Sequence, residues 1–182
     1  MKAVDTSAKH YDKSTIVFHW LIALLVVAQW IGAHLIDEFP RGALRINAIS
    51  AHITLGVLIG LLTAVRICWR VTQGARLPGI GSDVIQFLAK AMHWGLYLLI
   101  FAAVGLGLTV VSLHSFSYFN LFSLPTITTG SRALVGSVLE THELVATLIL
   151  LAAGLHAIMA LIHHYAWRDG VLARMIPRLS AR

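Results

Sequence analysis

The amino-acid sequence predicts an all-α membrane protein, a bundle of four transmembrane helices. Its 182 residues have a mean hydropathy of +0.79, and only 12% of them are charged, which is about half the charged fraction of a soluble domain. So few charges cannot cover a protein surface in water, so lipid is the expected solvent. The chain also contains four apolar runs, each long enough to cross a hydrocarbon core of about 30 Å.

These four runs define the elements of one predicted membrane domain, residues 1–182. Backbone groups in lipid must form their hydrogen bonds within their own segment, so each run is expected to be a helix. The first run ends at Asp37 and Glu38 rather than at a small-residue cleavage site. We therefore expect it to remain as a span and not to be removed as a signal peptide. The predicted helices are residues 16–36, 46–69, 84–113 and 138–165.

Basic residues are distributed unevenly between the connections, and this predicts the orientation. Of the 14 Lys and Arg residues, only Arg41, Arg45 and Arg132 lie in the first and third connections. The other eleven lie in or beside the N-terminal segment, the second connection and the C-terminal tail. Cytoplasmic segments carry the excess of Lys and Arg, so both termini are predicted to be cytoplasmic. The same distribution explains the net charge of +6 without a nucleic-acid partner.

The connections also carry local signals. The second, residues 74–83, contains glycine and proline and ends in Ser82 or Asp83, either of which can cap helix three. The third, residues 114–137, is the longest and is rich in aromatic residues, so we expect it to fold over one end of the bundle. The single cysteine, Cys68, excludes an internal disulfide and a cysteine-based metal site.

Histidines inside the apolar runs are the candidate functional residues, because an ionisable group in a membrane span is costly. In helix four, His142 and His156 are 14 residues apart, which is about 21 Å along the axis and nearly four full turns. Both side chains therefore project from one face, and His163, seven residues later, stays close to it. His19, early in helix one, is expected to lie level with His156, and His52, early in helix two, level with His142.

Two level pairs of imidazoles predict two haem b groups, about 20 Å apart by the helix rise. Neutral imidazole is a common axial ligand of haem iron, and bundles hold such cofactors between facing helices. A lone buried histidine is commonly a packing residue, but four at two matched depths favour a cofactor. Zinc and copper sites cluster three or four ligands, whereas these histidines form pairs. A proton relay would need intramembrane carboxylates, and Glu140 and Glu143 lie only at the end of a span.

The chain also resembles a known family in seven motifs that together cover nearly its whole length. In chain order they are FHW (18–20), FPR (39–41), His52 with Gly56, VRICWR (65–70), HWGLYLL (93–99), THELVATL (141–148) and GLHAIMALIHHYAWRDGVLARMIPR (154–178). They resemble those of the bacterial cytochrome b561 family, di-haem membrane cytochromes linked to the quinone pool. The last motif is the most specific.

This resemblance implies a location in the bacterial inner membrane and axial ligation of haem b by the same pairs, His19 with His156 and His52 with His142. It also implies an activity like that of a superoxide oxidase, in which superoxide gives an electron at the periplasmic haem and ubiquinone receives it from the cytoplasmic haem. The alternative is a cytochrome b anchor subunit that links a dehydrogenase or hydrogenase partner to the quinone pool. A haem-free proton-coupled carrier is a third hypothesis.

Further candidates lie near the two ends of the spans. Arg41, Arg45 and Arg132 could attract anionic superoxide, pair with haem propionates or anchor the chain at the interface. Arg66 and Arg70 could likewise contact propionates or act as cytoplasmic anchors.

A quinone headgroup would meet other side chains. His163 could donate a hydrogen bond and a proton to it. His93, which is left without a partner when the histidines are paired, is interpreted as a quinone contact, a support for the haem ligands or a packing residue. His164 and Trp167 are either quinone contacts or interfacial anchors, and the aromatic belt favours the anchor for Trp167.

Overall fold

The computed structural model describes residues 10–113, 115–127 and 130–181. Four α-helices in this part of the chain are long and apolar enough to cross a membrane. This confirms the predicted all-α, four-span fold. The helices are α1 (Lys13–Ile36), α2 (Ala43–Thr72), α3 (Asp83–Ser112) and α4 (Arg132–Ile162).

The start of α4 differs from its prediction. The helix begins at Arg132, six residues before the predicted start near residue 138. The reason is a cap, because the hydroxyl of Ser131 accepts the backbone N–H of Leu134 at 3.1 Å and so satisfies one of the free N–H groups of the first turn. Hydropathy does not predict the first turn of α4, since that turn lies outside the apolar run. In the same way, α2 extends about one turn beyond its prediction at both ends.

Within the third connection, residues 116–124 form a β-hairpin. Strand β1 (Phe116–Tyr118) pairs antiparallel with β2 (Phe122–Leu124). Three residues, Phe119 to Leu121, connect the paired residues Tyr118 and Phe122. Phe119 and Asn120 have φ angles of 50° and 57°, the left-handed conformation of both central residues in a type I′ turn. A bulky residue rarely adopts it, so other contacts must hold Phe119 in place.

Those contacts come from one face of α2. The hydroxyl of Ser50 accepts the backbone N–H of Phe119 at 2.8 Å, and the hydroxyls of Thr54 and Tyr118 lie 2.5 Å apart. Ser50 and Thr54 are one helical turn apart. His52 lies between them in sequence and, at 3.6 residues per turn, projects from the opposite side of α2. The hairpin therefore supports the back of the helix that carries His52.

The described chain forms two compact units. The first unit contains the chain up to Ile22, Leu62–Tyr97 and the chain from Leu151 onward; the second contains Ala23–Leu61 and Leu98–Leu150. Each unit contains one of the predicted histidine pairs. That residues 1–182 form a single domain stays a prediction.

Asp12 connects three segments of the first unit. Its carboxylate accepts the backbone N–H groups of Thr15 and Ala75, each at 2.9 Å. It also accepts the hydroxyl of Thr15 at 2.7 Å and the indole N–H of Trp69 at 2.9 Å. Partial burial opposes ionisation of Asp12, but these four hydrogen bonds prevail and lower the pKa of its carboxyl below its usual range. The start of α1 is thus fixed to the end of α2.

The C-terminal segment packs against the start of α1. The backbone N–H of Tyr11 donates to the carbonyl oxygen of Arg174 at 3.1 Å, and the indole N–H of Trp20 donates to the carbonyl oxygen of Met175 at 3.1 Å. The helical turns after α4 are the π-helical turn His163–Trp167 and the 3₁₀ turns Leu172–Arg174 and Pro177–Ala181.

Candidate cofactor sites

In the first unit, α1 and α4 bring His19 and His156 together. Their ring centroids are 6.1 Å apart and the ring planes cross at 74°. Both side chains are half-buried. The structure therefore brings together the two residues that the sequence pairs at one depth.

In the second unit, α2 and α4 bring His52 and His142 together in the same way. Their ring centroids are 6.2 Å apart and the planes cross at 72°. Nδ1 of His142 lies 2.9 Å from the carbonyl oxygen of Ala103. A carbonyl oxygen only accepts, so Nδ1 carries the proton and donates it. This leaves the lone pair on Nε2, the nitrogen that a metal would use.

Both pairs have the spacing that a shared metal requires. With a metal–imidazole bond of about 2.0 Å on each side, two imidazoles on opposite faces of one ion have ring centroids about 6 Å apart. The centroid distances of 6.1 and 6.2 Å match this value. In the part of the chain that the structure describes, no group of three or more His, Cys, Asp or Glu side chains could hold a metal ion. The donor sets thus fit axial ligation of haem, two imidazoles to each iron.

Two helix contacts shape the surroundings of the second pair. A Cβ atom at Gly107 in α3 would lie 3.3 Å from Cε1 of His142, so the absence of a side chain there gives the imidazole room. From α1, the amide Nε2 of Gln29 donates to the carbonyl oxygen of His52 at 2.6 Å. Nδ1 of His52 is one of two buried side-chain nitrogens without a hydrogen-bond partner among the described residues; the other belongs to Arg66.

His93 in α3 contacts the first pair without matching its geometry. Its ring centroid lies 5.1 Å from that of His156, edge to face, which is shorter than the centroid distance of either pair. Nδ1 of His93 donates to the carbonyl oxygen of Ala89 at 2.6 Å, so this ring also has a fixed tautomer. The ring of His93 thus lies beside that of His156, at a shorter centroid distance than that between His19 and His156.

The two arginines near the end of α2 have different surroundings. Arg66 is only 6% exposed, its guanidinium lies 5.8 Å from the ring centre of Tyr97, and its Nε has no hydrogen-bond partner. Arg70 is more exposed and is engaged locally. It stacks 4.6 Å over the ring of Tyr11 and donates to the carbonyl oxygen of Ala75 at 3.1 Å. Of the two arginines, Arg66 is therefore the buried one, and its Nε has no partner among the described residues.

The three arginines predicted to face the periplasm also differ. Arg45 forms an ion pair with Asp37, with the two charged atoms 2.6 Å apart. Arg41 and Arg132 are exposed. A paired charge contributes less to the field that an approaching anion meets, so Arg41 and Arg132 are the stronger candidates for attracting one.

The end of α4 gathers the predicted quinone residues. His163 is buried, and its Nδ1 lies 2.5 Å from Oδ2 of Asp169. The ring of Trp167 meets that of His163 edge to face at 4.5 Å, and Trp167 is 50% exposed. His164 packs instead against Tyr165, with ring centroids 4.8 Å apart. Of the three, His163 and Trp167 form one cluster and His164 lies outside it.

Comparison with known proteins then decides the family. The family model described as prokaryotic cytochrome b561 matches residues 10–178, which is most of the chain. The chain belongs to the prokaryotic cytochrome b561 family. This confirms the resemblance seen in the sequence motifs. The protein is accordingly a multi-pass cytochrome of the bacterial inner membrane, with haem b as its cofactor and electron transfer as its role.

Three relatives of this cytochrome b561 are similar to it along nearly their whole length. It is 30% identical over 173 residues to the probable superoxide oxidase CybB of Yersinia pestis, which covers 93% of this chain and 97% of the relative. It is 27% identical over 179 residues to cytochrome b561 homolog 2 of Escherichia coli, covering 95% and 94% of the two chains. It is also 29% identical over 177 residues to the cytochrome b562 of Cereibacter sphaeroides, covering 94% and 98%.

Three residues of the cytochrome b561 sites were missed by sequence reasoning. Gln29 is an amide inside an apolar run, which was a usable signal, because polar groups in a span need a partner. Gly107 gave no signal, since small residues also serve plain helix packing. Asp169 lies beyond the spans, and its place depends on a π-helical turn that periodicity does not predict.

Proposed function

We propose that this cytochrome b561 oxidises superoxide at the periplasmic side of the membrane and reduces ubiquinone, using two haem b groups. The observation that carries the proposal is the pair of imidazole couples in different units, with ring centroids 6.1 and 6.2 Å apart. The name of the Yersinia pestis relative, a probable superoxide oxidase, supports the choice of electron donor. The distribution of Lys and Arg supports cytoplasmic termini and hence the direction of transfer.

The axial ligands in this proposal are His19 with His156 and His52 with His142. When bound, haem b supplies a centre that accepts and releases one electron at a time. The carbonyl oxygen of Ala103 holds the imidazole of His142 in one orientation, fixes its tautomer and would leave Nε2 for the iron.

Arg66 is proposed to pair with a haem propionate in the first unit. A buried charge without a counter-charge is strongly destabilising, and Arg66 is buried with an unpartnered Nε. A carboxylate of the cofactor would provide the missing partner. Arg70 is assigned the anchoring role instead, because Tyr11 and Ala75 already engage its guanidinium.

Attraction of superoxide is assigned to Arg41 and Arg132, which are exposed in the second unit. Exposed basic residues raise the local concentration of an anion and its association rate. Arg45 contributes less, because Asp37 neutralises it. The competing role for all three is to anchor the chain at the membrane interface.

Quinone binding is assigned to the end of α4, with His163 as the hydrogen-bonding residue and Trp167 beside it. Half of the Trp167 surface is exposed, so a flat headgroup arriving from the bilayer has a ring to pack on. His93 is proposed to support His156 by direct ring contact. His164 is assigned to the interface with Tyr165.

The second candidate function is a cytochrome b anchor that passes electrons from a dehydrogenase or hydrogenase partner to the quinone pool. One observation favours it. Outside the spans, Leu121 on the hairpin and Ile127 after it are 80% and 83% exposed, and exposed apolar side chains outside lipid are typical of interaction surfaces.

Two measurements on the purified protein test the proposal. The haem-to-protein ratio with a reduced optical spectrum should give two b-type haems per chain, and a spectrum without a b-type band would exclude both electron-transfer functions. Stopped-flow mixing with superoxide, with no partner protein present, should reduce the bound haem faster than superoxide dismutates spontaneously. A rate no faster than spontaneous dismutation would remove the oxidase and leave the anchor.

A further inference from the structure

The chain reverses direction immediately after α4, and this reversal places Asp169 against His163. The π-helical turn His163–Trp167 ends at Arg168, which has a left-handed φ of 53°, and Gly170 follows with a φ of 78°. His163 and Trp167 are four residues apart, so their side chains lie on the same side of this helical turn. The turn therefore places the ring of Trp167 against His163. The chain then reverses and brings Asp169 to Nδ1 of His163.

Hydrogen bonds other than the one to His163 hold the Asp169 carboxylate in place. Its Oδ1 accepts the backbone N–H of Val171 at 3.1 Å, and its own backbone N–H donates to the carbonyl oxygen of His163 at 3.2 Å. Its Oδ2 lies 2.5 Å from Nδ1 of His163. The two residues are thus joined through backbone and side chain at once, and the carboxylate cannot turn away without breaking local structure.

This arrangement determines which nitrogen of His163 is available. A carboxylate oxygen accepts a hydrogen bond, so Nδ1–H of His163 donates to Asp169. Nε2 is then the nitrogen available to a ligand. The negative charge also compensates the positive charge of a doubly protonated imidazole, as the aspartate of a catalytic triad does. His163 is 8% exposed, so the pair works in a largely dry environment, where such charge compensation is strong.

We propose that Asp169 is the positioning residue for the proton donor of the quinone site, an inference that rests on the proposed quinone reduction. Two superoxide anions give one electron each and become two molecules of oxygen, and one quinone takes both electrons and two protons. For each proton, the Nε2–H bond of the doubly protonated His163 breaks and an O–H bond forms at a quinone oxygen, which leaves the neutral imidazole with its proton on Nδ1. His163 then regains a proton from cytoplasmic water, while Asp169 keeps Nδ1 in place.

The competing explanation is that Asp169 only terminates α4. A purely structural cap would affect folding and haem retention, whereas a positioning residue would affect quinone turnover alone. Asp169→Asn separates the two, because the amide oxygen can still accept the Nδ1 proton but lacks the charge. Asp169→Glu keeps the charge on a longer side chain. Asp83→Asn is a matched control, since Asp83 is an exposed carboxylate in the first turn of α3 of the same unit.

The experiment uses the haem-loaded protein in liposomes with ubiquinone and a superoxide source. We expect D169N to lower kcat for quinone reduction about tenfold or more, with KM changed less than kcat. The single-turnover reduction of the protein by superoxide without quinone should be unchanged, D169E should recover part of kcat, and D83N should match the wild-type protein.

Several results would overturn the positioning role. They are a kcat for D169N within about twofold of the wild-type value, a D169E kcat as low as that of D169N, or loss of haem from D169N, which marks a structural cap. The proposed function is judged separately on the wild-type protein. If the wild-type protein takes electrons from superoxide but never reduces ubiquinone, the proposed function fails, whatever the variants do.

Discussion

Gly107 of α3 faces the imidazole of His142 closely enough that a Cβ atom at Gly107 would lie 3.3 Å from Cε1 of the ring. That distance is at the tight end of van der Waals contact, so any side chain there must displace the imidazole or the helix. Gly105, two residues earlier in the same helix, has no neighbouring atom within 4 Å of its hypothetical Cβ. The two glycines form a natural pair for testing the His52–His142 site.

The first prediction follows from this pair. Gly107→Ala should shift the midpoint potential or lower the occupancy of the haem at His52 and His142, because the added methyl group presses on His142. Gly105→Ala should leave both unchanged, and the gain in helix propensity of about 1 kcal/mol should apply equally to both variants. A redox titration with haem quantification compares them. Identical titrations for G107A and the wild-type protein would show that the glycine does not control the ligand.

The second prediction distinguishes the axial ligands from His93. His142→Ala should leave one haem per chain, because the other imidazole couple is built from different residues. His93→Ala should retain both haems, since His93 contacts His156 at 5.1 Å but does not oppose it across a metal. Haem-to-protein ratios measure both effects. A halved ratio in H93A would mean that His93, and not His19, is the partner of His156.

A third prediction concerns the buried charge of Arg66. Arg66→Met should weaken haem binding at the His19–His156 couple, because a propionate in this site would lose its counter-charge, a loss worth roughly 3–5 kcal/mol for a buried pair. Arg70→Met is the control, since its contacts to Tyr11 and Ala75 are local. Haem release into apomyoglobin measures the relative affinity. Equal release rates in the two variants would assign Arg66 to anchoring.

The fourth prediction is a pH dependence set by Asp12. Its hydrogen bonds lower its pKa in the folded protein below the unfolded value of 3.8, so the unfolded state binds more protons between the two values. The stabilisation is therefore complete above the unfolded pKa and is lost as the pH falls toward the folded one. Asp12→Asn should lower Tm at pH 7, and the difference should shrink below about pH 4. Thermal unfolding across this range, with Asp83→Asn as control, measures it; a constant difference would contradict the linkage.

A fifth prediction tests attraction of superoxide. Arg132→Gln should slow reduction of the protein by superoxide more at low than at high ionic strength, because salt screens exposed charges over about 10 Å at 0.1 M. Arg45→Gln should have a smaller effect, since its charge is already paired with Asp37. Stopped-flow rates across a salt series decide the matter. A salt profile for R132Q parallel to that of the wild-type protein would reject electrostatic attraction.

The sequence predicts the parts of this architecture that depend only on the regular geometry of a helix, such as which residues share a face and a depth. Within α4, a spacing of 14 residues places His142 and His156 on one face, because the rise and rotation of a helix are constant. Their partners, His19 and His52, are then predicted from their matching depth in the membrane. The structure brings both pairs together. The start of α4 did not follow, because the cap by Ser131 is a single local hydrogen bond outside the apolar run.

Contacts between distant segments were beyond sequence reasoning. The docking of the hairpin on Ser50 and Thr54 depends on a left-handed turn at Phe119, which no propensity would assign to a phenylalanine. The pairing of Asp169 with His163 depends on a π turn, and an α-helical continuation would direct the two side chains apart. Periodicity describes regular elements, and these contacts arise where the regularity ends.

The docked hairpin has a consequence for the speed of electron transfer. The hairpin contacts Ser50 and Thr54, one helical turn apart on the side of α2 opposite His52. From α1, Gln29 donates a hydrogen bond to the carbonyl oxygen of His52. An imidazole on so restrained a backbone has little freedom to relax when the oxidation state of its metal changes. We expect a low reorganisation energy at this couple, which the temperature dependence of its electron-transfer rate would reveal, and which Gln29→Leu should raise.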